Sequence, residues 1–92
     1  MKRNEMISKI GRTLRASGVR KAYLFGSFAR NEKKYHDIDI AIELPKGSFS
    51  LLDLIGLEQE LSKKVSKKVD LMTLRSISPY VKPYIKKDLV AI

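Results

Sequence analysis

The chain has 92 residues and no cysteine, so one small domain spanning residues 1–92 is expected, without disulfides or thiolate metal sites. The net charge of +9 suits a polyanionic or acidic partner, although paired lysines spread along the chain also serve solubility. No apolar run approaches a membrane span and no apolar signal core follows Met1-Lys2-Arg3, which points to a cytoplasmic protein with no membrane partner.

A first helix is predicted over about Asn4–Ser17. Met6, Ile7, Ile10 and Leu14 form one stripe at spacings of three and four, Asn4 is a candidate cap, and Gly18 supplies the stop. Arg20–Phe25 reads as a short strand that ends abruptly at Gly26, and Ser27–Arg30 as the opening of a short helix, followed by a polar loop to His36. The next strand is the clearest element. Over Asp37–Leu44, Ile38, Ile40, Ile42 and Leu44 share one face, while Asp37, Asp39, Ala41 and Glu43 share the other.

After the turn at Pro45-Lys46-Gly47-Ser48, Ser50 and Asp53 form a capping box, with Phe49 and Leu54 placed as a hydrophobic staple. The helix they open presents Leu51, Leu54, Ile55, Leu61 and Val65 as its apolar face, and Lys63, Lys64, Lys67 and Lys68 complement its C-terminal end. Val69–Leu74 is a third strand. A last helix is predicted between Ser78 and Leu89, with Pro83 a perturbing residue if internal. The alternation implies an α/β (α+β) fold: a small mixed sheet of three or more strands flanked by helices.

Asp37 and Asp39 point the same way, roughly 6.5–7 Å apart along the strand. Two such carboxylates repel unless a cation or protons neutralise them. Because the other face is aliphatic and committed to the core, the Asp face must open to solvent or ligand. Oxygen-only anionic ligation suits Mg²⁺, which keeps waters and phosphate oxygens in its shell; two incidental solvated aspartates are the alternative. Gly26-Ser27 at a strand-to-helix turn would let backbone N–H groups approach a phosphate, and Arg30 would either contact phosphate or hold the loop through a carboxylate. A phosphate cradle beside a carboxylate pair is what phosphoryl transfer needs. Asp70 on a neighbouring strand would share the metal or take a proton from the attacking hydroxyl. Glu43 reads as a salt-bridge or outer residue, His36 as a loop residue, and Tyr80 with Tyr84 as packing residues.

Gly26-Ser27-Phe28-Ala29-Arg30, followed by His36-Asp37-Ile38-Asp39-Ile40-Ala41-Ile42, resembles the DNA polymerase beta-like nucleotidyltransferases. The size and the Val69-Asp70-Leu71-Met72 strand are similar to the minimal nucleotidyltransferase subgroup, antitoxins commonly paired with a HEPN-domain RNase toxin. The resemblance implies that Gly26, Ser27 and Arg30 bind the nucleoside triphosphate, that Asp37, Asp39 and Asp70 hold two Mg²⁺, and that AMP passes from ATP to a tyrosine of the toxin. Asn31 replaces a usual glycine, which Asn tolerates because it accepts left-handed geometry, and His36 replaces a usual serine. A catalytically silent antitoxin and a transferase acting on nucleic-acid ends are the competing readings. The apolar tail Leu89-Val90-Ala91-Ile92 either closes the core as a final strand or docks a partner, with Lys82, Lys86 and Lys87 as a basic rim favouring an acidic surface.

Overall fold

The computed structural model describes residues 1–35 and 37–92; the reading of His36 lies outside them. Helix α1 (Arg3–Ala16) leads into β1 (Ala22–Phe25), the single turn α2 (Gly26–Ala29) and β2 (Asp37–Ile42). Helix α3 (Leu51–Val65), β3 (Lys68–Thr73), a 3-10 turn at Leu74–Ser76, α4 (Lys82–Lys86) and β4 (Val90–Ala91) complete the chain. The sheet is mixed, in the order β3-β2-β1-β4. Strand β1 runs antiparallel to both β2 and β4, and β2 runs parallel to β3.

The alternation in β2 decides the layering. Ile38, Ile40 and Ile42 are fully buried and pack with Ile10 and Leu14 of α1 and Leu57, Leu61 and Val65 of α3. Both long helices therefore cover one face of the sheet. The opposite face carries the aspartates and is only partly open. Its far end is closed by a second apolar cluster of Phe25, Ala41 and Ile77, flanked by Met72, Leu74, Ile85 and Leu89. The expectation that the Asp face is left to solvent or ligand thus holds for Asp37 and Asp39 but not for Ala41.

The capping box forms as expected: Ser50 N–H donates to Asp53 Oδ2 at 2.7 Å, and Asp53 N–H donates to Ser50 Oγ at 3.2 Å. The outer edge of the sheet is managed by α3. On β3, Val69 N–H donates to Ser62 Oγ at 3.0 Å and Leu71 N–H to Glu58 Oε2 at 2.8 Å. These side chains satisfy strand donors that would otherwise stand free at an edge. Among the described residues, no helix is long and apolar enough to cross a membrane.

Several boundaries differ from expectation. Helix α1 starts after Lys2, with no side-chain cap, so Asn4 lies inside it. On α3 the buried stripe is Leu57, Leu61 and Val65, whereas Leu51 and Ile55 are exposed because the first turn overhangs the core. Lys68 does not end α3 but begins β3. The predicted last helix shrinks to five residues, since Pro83, lacking an N–H, is accommodated only in its first turn. The tail is the closing strand: β4 pairs Ala91 with Tyr23 and Val90 with Leu24, and Ile92 packs on the main core.

Candidate active site

The sequence from Phe25 to Asp39 creates the site by a strand reversal. Strand β1 stops at Gly26, whose φ of +75° is open to glycine and strained for other residues. Register then places Phe25 opposite Asp39 on β2, and the parallel pairing places Asp39 opposite Asp70 and Asp37 opposite Lys68. Asp37, Asp39 and Asp70, 33 positions apart at the extremes, are thereby gathered at the end of two adjacent strands.

Gly26 is necessary to that geometry. A Cβ built on it would lie 2.5 Å from Asp39 Oδ2, inside the contact distance of carbon and oxygen. The carboxylate of Asp39 therefore occupies the space a side chain at position 26 would need. Ser27 follows in the first turn of α2, partly accessible, where backbone N–H groups lack intrahelical partners. Asn31 ends this segment at φ 59°, the left-handed conformation expected of the residue standing where glycine is usual.

The electrostatics follow from the gathering. Burial raises the Asp39 carboxyl above the ordinary carboxylate value, Asp70 and Asp37 add repulsion, and Arg30 and Lys68 partly offset it. Asp70 is raised as well, first by burial and then by a hydrogen bond shared with Asp37, while Lys68 pulls the other way. Asp39 and Asp70 so placed favour either a retained proton or an arriving cation. The donor set is oxygen-only and anionic, as Mg²⁺ requires. Among the described residues no group of three or more His, Cys, Asp or Glu side chains is placed to hold a metal ion by itself; Mg²⁺ is a cation held through one or two carboxylates and completed by water and substrate phosphate.

Arg30 is engaged by two carboxylates. Its guanidinium pairs with Glu32 and Asp88, each at 2.6 Å, and both raise its already high pKa. Asp88 follows α4, so Arg30 ties the turn after Gly26-Ser27 to the C-terminal segment. Glu43 lies away at the strand's end, 3.9 Å from Lys21, consistent with its reading as a salt-bridge residue. Tyr80 and Tyr84 do not pack: they are 87% and 75% exposed, Tyr80 in the turn before α4 and Tyr84 on the side of α4 away from Ile85, which packs toward the sheet.

Sequence reasoning missed three neighbours. Lys68 Nζ stands 3.9 Å from both Asp37 Oδ2 and Asp70 Oδ1; the period-two spacing Lys68-x-Asp70 on one strand carries that signal. Arg3 donates to the carbonyls of Phe28 and, at 3.5 Å, of Ala29, and lies 4.5 Å over the Phe28 ring, anchoring α2 from below. Asp88 had no local motif at all, since its partner is 58 positions away.

Residues 5–92 match the family model described as a nucleotidyltransferase domain. A Methanocaldococcus jannaschii protein bearing the name of a protein adenylyltransferase is 46% identical over 88 residues, covering 95% of this chain and 94% of that protein. Among solved structures, the chain resembles one from the Shewanella oneidensis complex of a tri-AMPylated HEPN toxin with MNT antitoxin. That likeness has 28% identity, a TM-score of 0.75, and coverage of 98% of this chain and 71% of that one. A toxin–antitoxin crystal structure with AMP-PNP is similar at 28% identity and a TM-score of 0.73, covering 99% of this chain and 72% of that one. A structure described as a minimal nucleotidyltransferase shares the fold, at a TM-score of 0.81 and 21% identity. With residues 5–92 matching its model, the chain belongs to the nucleotidyltransferase domain family.

Proposed function

We propose that this nucleotidyltransferase moves AMP from ATP to a tyrosine hydroxyl of a HEPN-type toxin, and so acts as its antitoxin. The observation that carries the reading is the fit of the Asp39 carboxylate into the space left by Gly26, which sets a phosphate turn against the gathered aspartates. The names of the relatives, a protein adenylyltransferase and an antitoxin complexed with an AMPylated HEPN toxin, support the acceptor class.

In this reading Gly26 and Ser27 receive the triphosphate through backbone N–H groups and the Ser27 hydroxyl. Asp37, Asp39 and Asp70 would hold Mg²⁺, two ions by the resemblance to the polymerase beta-like nucleotidyltransferases. The metal, when bound, supplies neutralisation of phosphate charge. The acceptor oxygen bonds to the α-phosphorus as the bond to the β-phosphate bridging oxygen breaks, and pyrophosphate leaves. Asp70, on the strand beside Asp37 and Asp39, is placed to take the phenolic proton. Arg30, held by Glu32 and Asp88, fixes the turn and lends positive charge near Asp39.

The acceptor would dock beside the site. The segment 71–87 carries Arg75, Lys82, Lys86 and Lys87 and no acid. It also lines a groove of about 520 Å³ with Leu74, Ile77, Pro83, Ile85 and Leu89, on the sheet face that bears the aspartates. A partner with an acidic, apolar surface matches it. Labelled ATP, the purified pair and an Asp37→Ala control test the proposal. Mg²⁺-dependent label on a toxin tyrosine, absent with Asp37→Ala, is the expected result. Label on RNA ends but never on protein would move the activity to nucleic acid, and equal silencing by Asp37→Ala without label would leave a binding module.

A further inference from the structure

We infer that Lys68 is a built-in counter-ion that holds the Asp37 and Asp70 carboxylates together before metal arrives and must leave for metal to bind. Its ammonium is 3.9 Å from an oxygen of each carboxylate, bridging two strands whose register sets Asp37 directly opposite it. Asp70 lies on the same side of β3, two residues on from Lys68, and directly opposite Asp39. The cation therefore stands where the two acidic groups converge.

The other charges around the pair do not substitute for it. Arg30 is engaged by Glu32 and Asp88, Lys67 lies 5.8 Å over the Tyr35 ring, and Glu58, committed to the Leu71 N–H, adds negative charge near Asp70. Lys68 itself has 70% of its side chain exposed, so its four-carbon stem is free to swing into solvent. A fixed cation would block a metal site; a tethered, solvent-facing one neutralises the empty site and yields to a divalent ion. The displacement opposes metal binding, and its loss should strengthen it.

This role rests on the metal-site reading of Asp37, Asp39 and Asp70, and the test separates the two. Mn²⁺ titrations by calorimetry, without nucleotide, would compare wild type, Lys68→Met, Lys68→Arg, Lys63→Met and Asp39→Asn. Lys68→Met is expected to bind Mn²⁺ roughly three- to fivefold more tightly, the scale of an exposed ion pair. Lys68→Arg, which keeps the charge, and the remote Lys63→Met should match wild type. In metal-free buffer Lys68→Met should also melt lower than wild type, and saturating Mn²⁺ should abolish that difference. Unchanged or weaker Mn²⁺ binding by Lys68→Met, with Asp39→Asn still abolishing it, would overturn the Lys68 role and leave the metal site intact. Binding unaffected by Asp39→Asn, or none by wild type, would remove the site and this role with it.

Discussion

The α-carbon of Gly26 stands so close to Asp39 that a methyl group on it would meet Oδ2 at 2.5 Å, although the two residues lie on different elements. Glycine is required twice over, by that contact and by φ +75°. Gly26→Ala should therefore cost about 1–2 kcal/mol of stability from the left-handed backbone alone. It should also displace the Asp39 carboxylate and reduce transferase turnover by at least about a hundredfold, as a misplaced reacting group does. Thermal melts and single-turnover assays would check both; an active, normally stable Gly26→Ala would mean that Asp39 is not a ligand.

Asp39 predicts an unusual pH dependence. Its folded pKa is raised above the unfolded value of 3.8, so the native state binds the proton more tightly. By linkage, ionised Asp39 lowers stability at neutral pH, and that penalty is relieved as pH falls through the raised pKa toward 3.8. Asp39→Asn should accordingly match or exceed wild-type stability at pH 7 in metal-free buffer, with the gain shrinking toward pH 4. Saturating Mn²⁺ should reverse the order, because only the wild type gains a ligand. Melting curves across pH, with and without Mn²⁺, decide this.

The other face of the same strand behaves oppositely. Ile40 is fully buried between β2 and the two long helices. Ile40→Ala should cost about 2–5 kcal/mol by lost burial and the cavity left behind. Metal and pH should not rescue it, and a cost below that of Asp39→Asn would mean the strand faces were exchanged.

How far the sequence can be read depends on the range over which its signals act. The period-two pattern of β2 is local: Ile38, Ile40, Ile42 and the aspartates fell where expected, but the strand ends at Ile42 and the expected fourth apolar residue, Leu44, lies beyond it and is exposed. Gly26 and the Ser50/Asp53 box are likewise local devices. The apolar residues of α3 were assigned less well, because periodicity locates a stripe but not where the core ends, and Leu51 overhangs it. Least legible were pairings created by topology. Arg30 finds Asp88 across 58 positions, and Lys68 meets Asp37 only because β2 and β3 run parallel in that register.

The Arg30–Asp88 pair should couple the tail to the nucleotide turn. Asp88 is the less exposed partner, 24% against 47% for Arg30, and it precedes the two-residue strand β4. Asp88→Asn should leave the fold intact but raise KM for ATP several-fold with a smaller change in kcat, since a positioning charge is loosened without removing any group from the site. Amide exchange at Val90 and Ile92 should quicken in the same variant, as the tail loses an anchor. A fall in kcat with unchanged KM would place Arg30 in the transition state and not in the ground-state turn.

The exposed pair Tyr80 and Tyr84 separates folding from docking. At 87% and 75% exposure their side chains contribute little to the core, so Tyr80→Ala with Tyr84→Ala should shift stability by no more than about 0.5 kcal/mol. They stand four positions apart on the acid-free segment that covers the far end of the aspartate-bearing face, beside the groove of Ile77, Pro83 and Ile85. Tyrosines and other aromatic residues are the common anchors of interfaces. If the proposed partner is right, the double variant should bind ATP and Mn²⁺ as the wild type does, yet lose at least about tenfold in affinity for a HEPN-type toxin, the effect of removing one strong anchor. AMP transfer to the toxin should fall in parallel at limiting toxin and recover at saturation. Reversing Lys82, Lys86 and Lys87 to glutamate should slow association more than it hastens dissociation, and the effect should fade at high salt. Full toxin affinity in the tyrosine variant, measured by calorimetry on folded proteins, would place the docking surface elsewhere, with the exposed Leu51, Leu52 and Ile55 of α3 the next surface to test.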